Sequence, residues 1–427
     1  MRAELIAVGT ELTTGRTLNT NSAELSRQLQ ALNIICSRQH TVADDPAAIV
    51  DIVRQALGRA DLVIVTGGLG PTLDDLTMDA VAHAVGSPMQ CSPQIKQQIE
   101  AFCRRHRRRV NRLSLRQALI PQGAEALPNP VGTAPGVWMR LGHAVLVVLP
   151  GVPEEMRAIM AGSVLPRLRR AGRSHAAEAV CSRTLRTIGL VELEIQQHLA
   201  ALRLPADVAI GLYPHLNTVD VRLTLCGAGA QRPLDRAIAA VRKRLGAAVY
   251  GEEEERLEEV VGRLLARKRM TVAVAESCTG GLIGDRLTNV PGSSRYVLLG
   301  VTAYHNRIKQ DVLGVPVEAL RRHGAVSEQV ARRMAVGVRA MGDADIGIAV
   351  TGIAGPSGGT KQKPVGLVYV AIADRRRSAA RAMHFAGGRA GGEGVPPRDG
   401  GAADRLAIKM QTASAALDWL RRWAESA

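Results

Sequence analysis

Residues 271–281 read Thr-Val-Ala-Val-Ala-Glu-Ser-Cys-Thr-Gly-Gly, a short apolar run that stops at Glu276 and passes through Ser277 into two glycines. An apolar run of this length, followed by a Gly turn and then an amphipathic stretch, is the pattern of a buried strand feeding a helix. Such a junction exposes a hydroxyl beside backbone N–H groups. An amphipathic helix before it, and the runs IGIAV (346–350) and GLVYVAIA (366–373) after it, place the junction in a layered α/β domain.

Upstream, ELIAV (4–8) and LVIV (62–65) end in Gly-containing turns, with helical periodicity over 22–32 and 47–57 between them, which predicts a parallel β/α sheet. The run AVLVVL (144–149) breaks at Pro150-Gly151-Val152-Pro153, and a helix is expected from near Glu154. A first domain over 1–170 follows. Residues 171–252 carry strand, helix, strand and helix signals near 183–188, 191–202, 219–226 and 232–245, a small α+β unit. The acidic run Glu252 to Glu255 suits a linker or a first helical turn, and the last domain covers 253–427. Seven glycines and two adjacent prolines over 386–404 read as a mobile loop.

At 427 residues, with 46% hydrophobic and 22% charged, the chain is long enough for two or three globular domains. The N-terminus lacks a signal-peptide core or a membrane span, so a cytoplasmic protein with no membrane partner is expected. The six cysteines show no CxxC pair and no zinc spacing, and read as reduced thiols. A net charge of +16 draws phosphates. Only 2% aromatic content leaves few stacking platforms, which favours small anionic ligands over single-stranded nucleic acid. Seven arginines between 104 and 116 read as a solvated basic face or a phosphate contact.

A serine hydroxyl needs a base, and no histidine lies in ESCTGG. Downstream, AYHNRIKQDVLG holds Tyr304, Asn306 and Lys309. A lysine serves as base when burial lowers its pKa, and a tyrosine can relay the proton, so Ser277, Tyr304 and Lys309 make a Ser/Lys site. The turn from Thr351 to Thr360, TGIAGPSGGT, offers backbone N–H groups for an oxyanion or a phosphate. In the first domain, Thr66-Gly67-Gly68-Leu69-Gly70 precedes Asp74 and Asp75, a phosphate turn with carboxylates for a divalent cation; Glu11 and Asn19 form a second polar cluster. On residues alone, the C-terminal segments read equally well as ordinary turns, with Ser277 an N-cap, Tyr304 in the core and Lys309 solvated, and the first-domain turn reads more readily as a Gly turn followed by an Asp-capped helix.

GTELTTGRTLNTN, TGGLGPTLDDLT, NPVGTAPG and PGVPEEM resemble the N-terminal half of the CinA family, the competence/damage-inducible proteins. ESCTGG, AYHNRIKQDVLGV and AVTGIAGPSGGTKQKPVGLVYVAIA resemble its C-terminal half. The resemblance implies a molybdopterin-binding-like three-layer domain, a KH-like middle domain and a C-terminal α/β amidohydrolase domain. It further implies deamidation of nicotinamide mononucleotide through an acyl-enzyme on Ser277, with Lys309 and Tyr304 moving its proton and the backbone of Thr351 and Gly352 holding the oxyanion. Substrate contacts would come from Glu276, Thr279, Gly280, Asn306, Gly355, Gly359 and Thr360, and the phosphate would meet Arg389, Arg398 or Arg405.

For the N-terminal domain the resemblance implies a nucleotide site at Glu11, Asn19, Thr66, Gly67, Gly68, Gly70 and Asp74. ADP-ribose pyrophosphatase activity there would use a divalent metal at Asp74 and Asp75; the deamidase itself requires no cofactor. A homodimer is implied too. The family's nucleic-acid role is not expected, since no GxxG occurs between 171 and 250. Two segments depart from the family pattern: Gly189-Leu190-Val191-Glu192-Leu193, and the Gly/Pro-rich stretch after Phe385. The alternatives are a molybdopterin-binding protein of cofactor synthesis and a non-enzymatic accessory protein of DNA uptake or repair.

Overall fold

The structure is a computed structural model that describes all residues except 73, 106–108, 173–179, 228, 386–401 and 427. Most of the expected mobile loop, including Arg389 and Arg398, lies outside the described residues. The chain forms two compact units, Met1–Val180 with Cys226–Ala228, and Cys181–Leu225 with Gly229–Ala427.

The first unit is built on a six-stranded sheet in the order Ile35–Val42, Arg2–Val8, Leu62–Thr66, Ala144–Leu149, Gly136–Leu141, Glu125–Leu127. The first four strands pair in parallel. Alternation along them sorts the core into two faces: Leu5, Ile64 and Val147 pack with Leu25, Leu29 and Met156, while Ile6, Val63 and Leu146 pack with Ile49, Val53 and Ile99. Both faces are thus covered, as a parallel sheet requires. The strands predicted to be parallel are so, and two further strands join the sheet through antiparallel pairs. Leu141 pairs with Ala144 across the two-residue turn Gly142-His143, and Gly142 adopts φ +59°, the left-handed geometry of a tight hairpin.

In the second unit a four-stranded sheet, ordered Ala209–Pro214, Thr218–Cys226, Val180–Ile188, Val249–Glu252, packs on helices Glu192–Ala200 and Gln231–Leu245. This middle part shares its core with the remainder of the unit. Ile188 and Tyr250 are buried among Leu257, Val261, Leu265 and Trp423. The Arg421 guanidinium, 3% exposed, donates to the Ala247 carbonyl at 2.6 Å. The run Glu252 to Glu255 is a turn between the strand Val249–Glu252 and the helix Leu257–Lys268, with Glu252 and Glu255 paired to Arg242 and Arg263.

The remaining sheet is ordered Val297–Thr302, Val272–Glu276, Ile346–Gly352, Leu367–Ala373, Ser378–His384, the first three strands parallel and the last two antiparallel. One face carries Val272, Val274 and Ile348 against helices Leu257–Lys268 and Ala402–Ser426. The other carries Ala273, Ala275, Ala349 and Ala371 against helix Glu328–Met341. These small residues let that helix come close: a β-carbon on Gly347 would lie 2.1 Å from the Ala335 carbonyl oxygen. No helix among the described residues is long and apolar enough to cross a membrane.

Candidate active site

Three parallel strands, Val272–Glu276, Val297–Thr302 and Ile346–Gly352, end on one edge of the C-terminal sheet. The loops that leave their carboxyl ends meet there, where open α/β sheets bind ligands. The first loop carries Ser277. Its backbone N–H donates to the Val350 carbonyl at 3.1 Å and its carbonyl accepts from Gly280 N–H at 3.2 Å, so the residue is fixed at both peptide groups. Gly280 and Gly281 take φ +66° and +100°, which makes the turn into helix Leu282–Thr288.

Glu276, 2% exposed, holds that helix. Its carboxylate accepts from the N–H groups of Gly281, Ile283 and Gly284 at 3.0, 3.1 and 2.8 Å. The cap is thus Glu276 rather than Ser277, and Glu276, expected to touch substrate, holds the turn that presents Ser277. Glu276→Ala leaves three N–H groups without their acceptor. We expect it to destabilise the protein by about 1–3 kcal/mol and to lower kcat, with Glu276→Gln intermediate in both, measured by thermal unfolding and steady-state kinetics.

The second loop leads through Tyr304 to helix Asn306–Asp311, whose first turn is capped by the His305 imidazole accepting from Arg307 N–H at 3.2 Å. This aims Lys309 inward. The side chain is 1% exposed, and its ammonium donates to Ser277 Oγ at 3.0 Å, to the Ala303 carbonyl at 2.8 Å and to the Tyr304 carbonyl at 3.3 Å. No carboxylate pairs with it among the described residues, and burial pushes its pKa below the ordinary lysine value. A neutral amine at this position keeps two N–H groups for the two carbonyls and turns its lone pair to the serine hydroxyl. That is the arrangement of a general base.

Tyr304 departs from its expected part. Its side chain is 60% exposed, and its hydroxyl lies 2.7 Å from an Arg405 guanidinium nitrogen; the residue reaches Lys309 through its carbonyl only. The other Arg405 terminal nitrogen donates to the Gly355 carbonyl. Gly355 precedes a cis peptide bond to Pro356 in the third loop. Thr351, 1% exposed, ends its strand with its hydroxyl donating to the Ala325 carbonyl at 2.9 Å, and Gly352 pairs with Val368. Thr360 and Lys363 close the loop on each other, and the Lys363 ammonium donates to the His323 and Val326 carbonyls at 2.7 and 2.6 Å. Gly359 and Asn306 are exposed around the rim.

Thr279 is fully buried, and its hydroxyl has no hydrogen-bond partner among the described residues. Cys278, beside the nucleophile, is 6% exposed, and burial pushes its thiol pKa up to about 12. Two contributors are absent from the motif reading. The Ala303 carbonyl has no side-chain signature. Lys409 stands four residues after Arg405, a spacing that puts both on one face of a helix.

In the first unit, Glu11, Asn19, Thr66 and Gly67 line a crevice of about 110 Å³ at the ends of the parallel strands. Asn19 also caps helix Thr20–Gln30, its side chain accepting from Ser22 N–H at 3.1 Å. Gly68, Gly70 and Asp75 line a smaller pocket beside it. The carboxylate of Asp75 accepts from the Thr72 N–H at 2.8 Å and the Thr72 hydroxyl at 2.5 Å, and Asp74 is exposed in the turn. No group of three or more His, Cys, Asp or Glu that could hold a metal stands together among the described residues.

Comparison with known proteins now bears on the whole chain. A family model for a probable molybdopterin binding domain matches residues 4–170, one for the damage-inducible protein CinA KH domain matches 182–251, and one for the CinA C-terminal domain matches 254–392. A relative from Symbiobacterium thermophilum, named for competence and damage induction, is 44% identical over 382 residues, covering 88% of this chain and 89% of its own. The chain belongs to the CinA family. A CinA-like protein of Syntrophus aciditrophicus is 41% identical over 427 residues, covering 99% of this chain and 98% of its own, so the CinA resemblance runs from end to end. A solved CinA structure from Thermoplasma acidophilum, 34% identical, covers 39% of this chain and 99% of its own at a TM-score of 0.37.

Proposed function

We propose that the C-terminal part hydrolyses the carboxamide of nicotinamide mononucleotide to nicotinate mononucleotide and ammonia. The observation that carries the reading is the buried Lys309 ammonium 3.0 Å from Ser277 Oγ, with its two other donors on carbonyls. Ser277 Oγ attacks the amide carbon while Lys309 takes its proton, forming a tetrahedral oxyanion beside Thr351 and Gly352. Collapse breaks the C–N bond, and Lys309 returns the proton to the departing ammonia, leaving an ester on Ser277. Water then attacks the ester, Lys309 takes the water's proton, and Ser277 recovers it as the carboxylate is released. No metal enters these steps. Purified protein should release ammonia and nicotinate mononucleotide in equal amounts; a folded protein that releases neither overturns the reading.

For the N-terminal unit we infer nucleotide binding in the crevice of Glu11, Asn19, Thr66 and Gly67. Cleavage of ADP-ribose there would call on donors beyond Asp74 and Asp75.

A further inference from the structure

The helix Val317–His323 ends at Gly324, which takes φ +75°, and the next helix, Glu328–Met341, is capped by Ser327. In the connection between them, four consecutive carbonyls each accept from a side chain. The His323 and Val326 carbonyls accept from the Lys363 ammonium at 2.7 and 2.6 Å, the Gly324 carbonyl from the Ser327 hydroxyl at 2.9 Å, and the Ala325 carbonyl from the Thr351 hydroxyl at 2.9 Å. A carbonyl that ends a helix has no intrahelical partner and carries partial negative charge, so a cation suits the His323 end. Two of the three donors belong to the candidate active site: Thr351 lies at the end of the strand Ile346–Gly352, and Lys363 lies in the loop that follows it. That loop is closed at its base by backbone alone, Ile353 N–H donating to the Leu367 carbonyl at 2.9 Å and Gly366 N–H to the Ile353 carbonyl at 2.8 Å. Its far turn is closed by Thr360 N–H donating to the Lys363 carbonyl at 2.8 Å. The Lys363 side chain therefore ties this far turn to the same connection that holds Thr351.

We propose that Lys363 is a positioning residue for the amide hydrolysis: through residues 323–326 it clamps the loop 353–366 to Thr351 and so fixes the Thr351–Gly352 backbone where the oxyanion forms. It acts through backbone geometry rather than through contact with the substrate. Its part in catalysis rests on the amidohydrolase reading above; the clamp itself does not. The amide oxygen gains its charge on the way to the transition state, so a shift of these backbone donors is felt in kcat more than in KM.

In the full chain, Lys363→Met should lower kcat for nicotinamide mononucleotide by about 10- to 100-fold, the scale of a displacement of about 1 Å at a reacting centre, with KM little changed. Gly324→Ala should act in the same direction, because a β-carbon there would lie 3.2 Å from the Lys363 nitrogen on a backbone of positive φ. Lys361→Met, two residues earlier in the same loop and exposed, should leave kcat in place and controls for the charge of the loop. A rise in KM at unchanged kcat, or equal losses in Lys361→Met and Lys363→Met, overturns the proposal. Amide hydrogen exchange reads the clamp without turnover. Lys363→Met should speed exchange over residues 353–366 and leave the strand Val272–Glu276 at its wild-type rate. Unchanged exchange over the loop removes the clamp whatever the kinetics, and faster exchange with kcat retained removes its part in catalysis. Faster exchange in the variant, beside a wild type that releases no ammonia, sinks the amidohydrolase reading and leaves the clamp.

Discussion

Ser277→Ala should lose at least about 10³-fold in ammonia release with little change in folding, a fall on the scale seen when a hydrolase loses its nucleophile. The expectation of an intact fold follows from how the residue is held. Both of its peptide groups are bonded, to Val350 and Gly280, and neither bond involves the hydroxyl. The substitution therefore removes one oxygen, 3.0 Å from Lys309, and leaves the turn in place. Steady-state ammonia release and far-UV circular dichroism on the same preparation check it. A variant that retains a tenth of the activity would mean that water, not Ser277, attacks the amide.

Lys309→Arg should be equally inactive, because a guanidinium stays protonated at every accessible pH and cannot take a proton from the serine. The pH dependence supplies the sharper check. Since burial lowers the Lys309 pKa, a larger fraction is neutral at any pH below 10.5 than in a solvated lysine, and kcat/KM of the wild type should rise with pH and level off below the ordinary lysine range. The same shift has a stability counterpart with a definite sign. Between the lowered folded value and the unfolded 10.5, the unfolded chain binds the extra proton, so stability rises with pH across that window. Denaturation of wild type and Lys309→Met as a function of pH should show this slope in the wild type alone. A flat difference would place the lysine's charge in contact with solvent.

The strand-to-helix junction at Ser277 was legible because its apolar run, its turn residues and its glycines agree with one another. The strands Leu62–Thr66 and Ala144–Leu149 were legible for the same reason, since residues buried on both faces form continuous apolar runs. Ser378–His384 was not. Its sequence, SAARAMH, is an edge strand that lacks β-branched residues, and pairing with Leu367–Ala373 makes it a strand. Val297–Thr302 is likewise an edge strand, half exposed, so the turn signal Pro291-Gly292 before it is not followed by a continuous buried run. Ala209–Pro214 is legible only as a hairpin partner of the next strand, Thr218–Cys226, and the short strand Val249–Glu252 takes its register from Val180–Ile188, distant in sequence. At the site, Ser277 and Lys309, far apart in sequence, stand 3.0 Å from each other. The direction of the Tyr304 side chain depends on a contact with Arg405, about a hundred residues on, which no local pattern encodes. The resemblance implies Glu276 as a substrate contact, yet a carboxylate at the start of a helix satisfies N–H groups that have no other acceptor.

In the proposed reaction the thiol of Cys278 neighbours the serine that carries the acyl group. A thiolate there would be a competing acceptor, and transfer would convert an ester into a thioester. With its pKa pushed up to about 12, the sulfur remains protonated throughout the working range and poorly nucleophilic. Under the proposed mechanism, water is thereby left as the acceptor for the acyl group although a sulfur stands one residue from Ser277. The same burial shields the catalytic turn from alkylating agents and peroxides, which would meet the exposed Cys91 and Cys226 first.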